Sequence, residues 1–159
     1  MGNRGGEVPR GRRQLTLLDA NALLALLRAQ PAEEEVASLL HGGGCATPSS
    51  CLAEVVDRLI RRWGSTPEQI AEQLGPLVDE AVVVLPVDSR TAWRAGELRA
   101  AHYHRKTSAL SLADCILLAA AGPDDKIATS DRAVAATARR LGIDLIPLLD
   151  SKGERPAVD

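Results

Sequence analysis

The apolar positions along this chain follow two rhythms in turn. Leu15–Leu18, Cys45–Pro48, Ala81–Val87, Lys126–Thr129 and Ile143–Leu148 are short runs with little polar alternation, the pattern of strands buried on both faces. Between them apolar residues recur at helical spacing. Helices are expected over Asn21–Arg28, stopped near Pro31, and over Ala32–Leu40, ended by His41-Gly42-Gly43-Gly44. Another runs from a Ser49-Ser50 cap to about Trp63-Gly64, and the next opens at Thr66-Pro67-Glu68 with proline in its first turn. A long helix capped by Asp88-Ser89 is expected through Arg105, one capped by Ser111 up to Gly122-Pro123, and a last one over Asp131–Leu141. Strand and helix alternate throughout, which predicts an α/β fold with a parallel sheet covered by helices on both faces.

Composition sharpens this picture in a few places. The 159 residues suit one domain, expected over residues 14–150. Residues 1–13, with Arg4, Arg10, Arg12 and Arg13, read as a flexible basic leader, and the polar stretch 151–159 as a frayed tail. Aromatic residues are 2% of the chain and Phe is absent, so Leu, Val, Ile and Ala must build the core. Only Trp63, Trp93 and Tyr103 could stack on bases, which disfavours single-strand binding by stacking. The net charge of −2 gives no overall attraction to nucleic acid, although acids gathered in a site and arginines on its rim would cancel in that sum. Cys45, Cys51 and Cys115 lack metal-type spacing and read as reduced, packed thiols of a cytoplasmic protein. The longest apolar stretch, Leu15–Leu27, is interrupted by Asp19 and Asn21 and falls short of the roughly 20 residues a membrane span needs.

Ligands of open α/β sheets bind beyond the carboxyl ends of the strands. Asp19 follows the first strand and Asp131 follows the strand Lys126–Thr129. Glu54 and Asp114 fall near the first turns of their helices. Each acid alone could serve as a helix cap or favour a helix N-terminus, and Ser111 to Asp114 fits a capping box. Capping does not explain why all four fall at one end of the sheet beside apolar neighbours. Carboxylates crowded together raise one another's pKa, and a hard cation such as Mg²⁺ or Mn²⁺ relieves that repulsion. Metal-assisted phosphodiester hydrolysis is the chemistry such a pocket could support.

Four segments also look familiar. Leu17-Leu18-Asp19-Ala20-Asn21 resembles the opening motif of PIN domains, and Ser49-Ser50-Cys51-Leu52-Ala53-Glu54-Val55 is similar to the second. Ala95 to Ala100, continued by Leu110-Ser111-Leu112-Ala113-Asp114-Cys115 and the apolar run to Ala121, looks like the third. Ile127-Ala128-Thr129-Ser130-Asp131-Arg132 matches the fourth. The four occur in order, at spacings like those of VapC-type toxins, over about Leu15 to Leu148. The resemblance implies a three-layer, Rossmann-like α/β/α sandwich, a Mg²⁺- or Mn²⁺-dependent endoribonuclease, a homodimer and an antitoxin partner. It makes Asp19 and Asp114 the central metal ligands, with Asp131 and Glu54 completing the site directly or through water. Asn21 and Thr129 would orient them. Many relatives carry a further acid shortly after the fourth motif, where this chain has Ala133-Val134, which puts a second metal in question.

Arg58, Arg61, Arg62, Arg99, Arg105 and Lys106 are candidate RNA contacts that could equally form a solvated face. His102 and His104 read as surface residues. A receiver domain would need an acidic pair after the first strand, and a D-x-D phosphatase an acid where Asn21 stands. The rival of a different class is a catalytically silent PIN-like module that binds RNA or protein only.

Overall fold

A computed structural model of the chain describes residues 13–157. The expected basic leader, apart from Arg13, lies outside the described residues. Five strands, β1 (Thr16–Leu18), β2 (Cys45–Pro48), β3 (Val82–Leu85), β4 (Lys126–Thr129) and β5 (Asp144–Pro147), form one parallel sheet in the order β3-β2-β1-β4-β5. Among the described residues seven α-helices flank them: α1 (Ala20–Leu27), α2 (Glu33–Gly42), α3 (Ser49–Trp63), α4 (Pro67–Pro76), α5 (Ser89–His102), α6 (Leu112–Ala120) and α7 (Arg132–Arg140). The result is a three-layer α/β/α sandwich.

Topology decides where the chemistry can sit. From β1 the chain winds outward through β2 to β3, then returns past β1 to lay down β4 and β5 on its other side. Leu18 pairs with Ala128, so the carboxyl ends of β1 and β4 are neighbours from which the chain departs in opposite directions. Such a switch point leaves a crevice, because the two connections diverge there.

Aliphatic side chains fill the interior. Leu17, Leu18, Leu59, Leu117, Leu118, Ile127 and Val134 are fully buried, and no aromatic ring takes part in the buried cluster. All three cysteines are free and buried among them. Helix boundaries follow local signals. Thr66 and Gln69 close a reciprocal capping box at α4, and Gly64, at φ +64°, ends α3 in the left-handed region. Ser49-Ser50 does not cap α3. Pro48 holds the cap position, with no side-chain bond to the helix.

Three boundaries depart from the sequence reading. Pro76 has no N–H to continue α4, and the chain widens into a π-helical turn, Leu77–Ala81, before β3 begins at Val82. Helix α5 stops at His102, not Arg105, because the His104 ring accepts bonds from the Lys106 and Thr107 amides while His104 and Ser108 exchange backbone bonds of 2.9 Å. Over residues 151–157 the expected frayed tail is tied to the domain. Arg155 bonds Glu35 and the Pro147 carbonyl at 2.6 Å each, Glu154 pairs with Arg132, and Pro156 is buried.

This packing predicts unequal costs for two truncations. Leu117→Ala should lower unfolding free energy by about 2–5 kcal/mol, whereas Val83→Ala, on edge strand β3 and 57% exposed, should change it by less than about 0.5 kcal/mol. Urea titrations of the two variants measure the difference.

Candidate active site

The four carboxylates singled out from the sequence line one cavity of about 170 Å³, together with Asn21, Arg58, Ala109 and Ser111. Its floor is Asp19, which leaves β1 and caps α1. One Asp19 oxygen accepts the Ala22 amide at 2.7 Å, and the other accepts the Thr129 hydroxyl at 2.5 Å. The same hydroxyl accepts the Asp131 amide at 3.0 Å, so one side chain on β4 ties the ends of both switch-point strands together. Behind it the Thr47 hydroxyl donates to the Leu18 carbonyl at 2.9 Å and anchors the last turn of β1.

Each remaining acid is fixed through one oxygen. Asp114 Oδ2 accepts the Ser111 amide at 2.7 Å in a capping box at α6. Asp131 Oδ1 accepts the Ala133 and Val134 amides at the start of α7. Glu54 Oε1 is paired with Arg58, one helical turn on in α3. The second oxygens of these three acids have no protein hydrogen-bond partner among the described residues. Helix capping and an open acidic pocket therefore coexist in the same side chains.

The electrostatics record the crowding. Burial pushes the Asp19 carboxyl up to about 7, against the lowering effect of Thr129 and Ala22, and the charges of Asp114 and Asp131 push it further up. Asp114 is also raised, mainly by burial, with the Ser111 bonds opposing and Asp131 and Glu54 adding repulsion. The Cys51 thiol, buried beneath the cluster, is raised by burial and then by Asp19, Glu54 and Asp114. As the side chains lie, no three acidic, His or Cys residues among those described stand close enough to clasp an ion directly. The donor set nonetheless suits a hard cation: crowded carboxylates with free oxygens and no thiolate or imidazole among the lining residues. Magnesium commonly keeps several waters and needs few direct protein ligands.

A larger groove of about 410 Å³ continues from this cavity, sharing Asn21, Arg58, Ala109 and Asp131 with it. Arg62, Trp63, Arg132 and Leu149 to Ser151 also line it. Arg28 and Arg62 lie 5.1 and 5.4 Å from the Trp63 ring. The candidate RNA contacts scatter accordingly. Arg58 and Arg62 line the groove, and Arg58 is already bonded to Asn21 at 2.6 Å. Arg61 points away, paired with Asp57. Arg99 covers the Tyr103 ring, and Arg105 and Lys106 stand exposed on the loop that also supplies Ala109. Sequence reasoning missed Arg28, the Leu149–Ser151 wall and the Thr47 anchor, because each depends on contacts far apart along the chain.

The PIN domain family model matches residues 16–158. The chain belongs to the PIN-domain family. No curated protein matches its sequence. Solved structures with the same PIN fold include VapBC2 from Rickettsia felis bound to a promoter DNA fragment, at 16% identity and TM-score 0.59, covering 84% of this chain and 98% of that one. FitAcB from Neisseria gonorrhoeae shares 20% identity at TM-score 0.55, covering 83% and 96%. Mycobacterium tuberculosis VapC20, described as a toxin that cleaves the sarcin-ricin loop, shares 19% at TM-score 0.54, covering 80% and 84%.

Burial of Asp19 makes stability depend on pH in a defined sense. Its folded pKa of about 7 lies above the ordinary 3.8. The unfolded chain gives up this proton first, so the contribution is fully present below about pH 4 and is lost by about pH 7, by on the order of 4 kcal/mol. Asp19→Asn should therefore melt higher than the wild-type PIN domain near pH 8, with the gap closing near pH 4. Thermal melts across that range, without divalent ions, read it directly.

Proposed function

We propose that this PIN-domain protein is a Mg²⁺- or Mn²⁺-dependent endoribonuclease of the VapC type, the toxin of a type II toxin–antitoxin pair. The observation that carries the reading is the convergence of Asp19, Glu54, Asp114 and Asp131 on one cavity at the sheet's switch point. Asp19, Asp114 and Asp131 would hold the ion, with Glu54 acting directly or through water. A bound divalent ion polarises a phosphate oxygen and brings a water's pKa toward neutrality. The chain's own residues prepare the rest. Thr129 and the Ala22 amide fix the plane of Asp19, Ser111 fixes Asp114, and Asn21 is held by Arg58. The adjoining groove offers Arg62 to the phosphates of an RNA strand leading from the scissile bond, with Arg28 also against the Trp63 ring that lines it.

The solved relatives include toxin–antitoxin complexes, among them one from Klebsiella pneumoniae, at 21% identity. They support an antitoxin partner here; a homodimer working in the cytoplasm belongs to the same proposal and rests on the family resemblance alone. No helix among the described residues is long and apolar enough to cross a membrane.

RNA cleavage tests the reading. Wild-type protein with Mg²⁺ or Mn²⁺ should cut RNA, and EDTA should stop it. Asp114→Asn should lower the rate at least about hundredfold while keeping the wild-type circular dichroism spectrum. Uncut RNA in every lane, with RNA or protein binding intact, would make this a silent binding module.

A further inference from the structure

We infer that Arg58 is a built-in second cation of the acidic cavity, which makes this a one-ion site and keeps Glu54 as the partner of the guanidinium rather than of the metal. The inference rests on the metal-dependent nuclease reading and deepens it. Among the described residues Arg58 is the only basic one lining the cavity, against four carboxylates. It is anchored on two sides, by Glu54 on its own helix and by Asn21 at 2.6 Å across the crevice. Its side chain is 29% exposed and that of Glu54 22%, so the pair is partly screened from water and its charge is felt inside the cavity. The neighbouring arginines cannot take this place, because Arg61 is occupied by Asp57 outside and Arg62 lies beside Trp63.

Charge balance gives the stoichiometry. Four carboxylates with one guanidinium and one divalent ion leave a small negative excess, whereas a second divalent ion would reverse the sign and press against Arg58. Among the described residues the cavity lining holds no fifth acid to receive such an ion, and Asp150, on the groove wall, lies outside that lining and accepts the Lys152 and Glu154 amides. Ala133 and Val134 occupy the first turn after Asp131 and donate their amides to it. In two-metal nucleases the second ion stabilises charge on an oxygen of the displaced ester. A guanidinium can supply the same positive charge. Two of its five N–H donors are used, on Asn21 and Glu54, and three remain for a phosphate oxygen. Arg58 lines both the cavity and the groove, where that phosphate would lie.

Mn²⁺ titrations of the full chain without RNA, by calorimetry and electron paramagnetic resonance, test this alongside cleavage kinetics. Wild type should bind one ion per chain. Arg58→Met should bind its first ion about tenfold tighter, since a positive charge has left the cavity, and its kcat should fall about hundredfold with a smaller change in KM. Glu54→Gln should weaken Mn²⁺ binding, and the double variant should return to within about threefold of wild type because the two charge changes cancel. Glu54 acting as a direct ligand predicts a loss in Glu54→Gln that removing the Arg58 charge does not make good, leaving the double variant more than about tenfold weaker than wild type. Two ions per wild-type chain, an unchanged affinity in Arg58→Met, or an unrecovered double variant overturns the inference while leaving a cleaving enzyme. Absence of Mn²⁺ binding and of cleavage together removes the nuclease reading as well. Should Arg58→Met not fold, Arg58→Gln, which removes the same charge while keeping a polar side chain beside Asn21, takes its place in the single and double variants.

Discussion

A single carboxylate at the end of the central strand organises this molecule. Asp19 is where β1 stops, where α1 starts, and where the neighbouring strand β4 reaches across through Thr129. It is 3% exposed, so water does little to relieve its charge, and the fold must do so with a hydroxyl and an amide. Those two bonds oppose the effect of burial without cancelling it. The site is thereby held away from its own electrostatic optimum, a common condition where a fold keeps a place for a charged ligand.

The sequence posed helix capping and cation binding as competing explanations for each acid. Structurally they are one device. A capping carboxylate gives one oxygen to backbone amides whose positions the helix dictates, and this fixes the direction of the other oxygen. Asp114 and Asp131 both follow that scheme, one from α6 and one from α7. The precision of the cavity is inherited from secondary structure rather than from side-chain packing alone.

The strands and most helices were legible because their signals are local. Capping residues, prolines and apolar runs lie within a few positions of the boundaries they set, and β2 and β4 fall where expected. Asp19, Asp114 and Asp131 were legible for a related reason, since each sits beside a strand end or a helix start, whereas Glu54 stands a turn further on in α3. What was not legible depends on distance along the chain. Arg58, read either as a candidate phosphate contact or as part of a solvated helix face, is bound to a residue 37 positions away. The groove wall at Leu149–Ser151 and the anchored tail arise from partners separated by about the whole domain, as with Arg155 and Glu35. The loop after α5 was misread because helical propensity was continued past Tyr103, where a histidine ring captures the amides that would have extended the helix.

The closing segment of the domain adds one more dependency. Helix α7 carries Asp131 at its start, and residues beyond β5 grip it at two places, Glu154 on Arg132 and the Ala157 carbonyl on Arg139. Lys152 is exposed on the turn that leads into this clasp. A protease nicking there would spare every strand of the sheet and yet unbuckle the helix that presents Asp131 to the acidic cavity, so the cavity would lose one wall while the protein still looked folded.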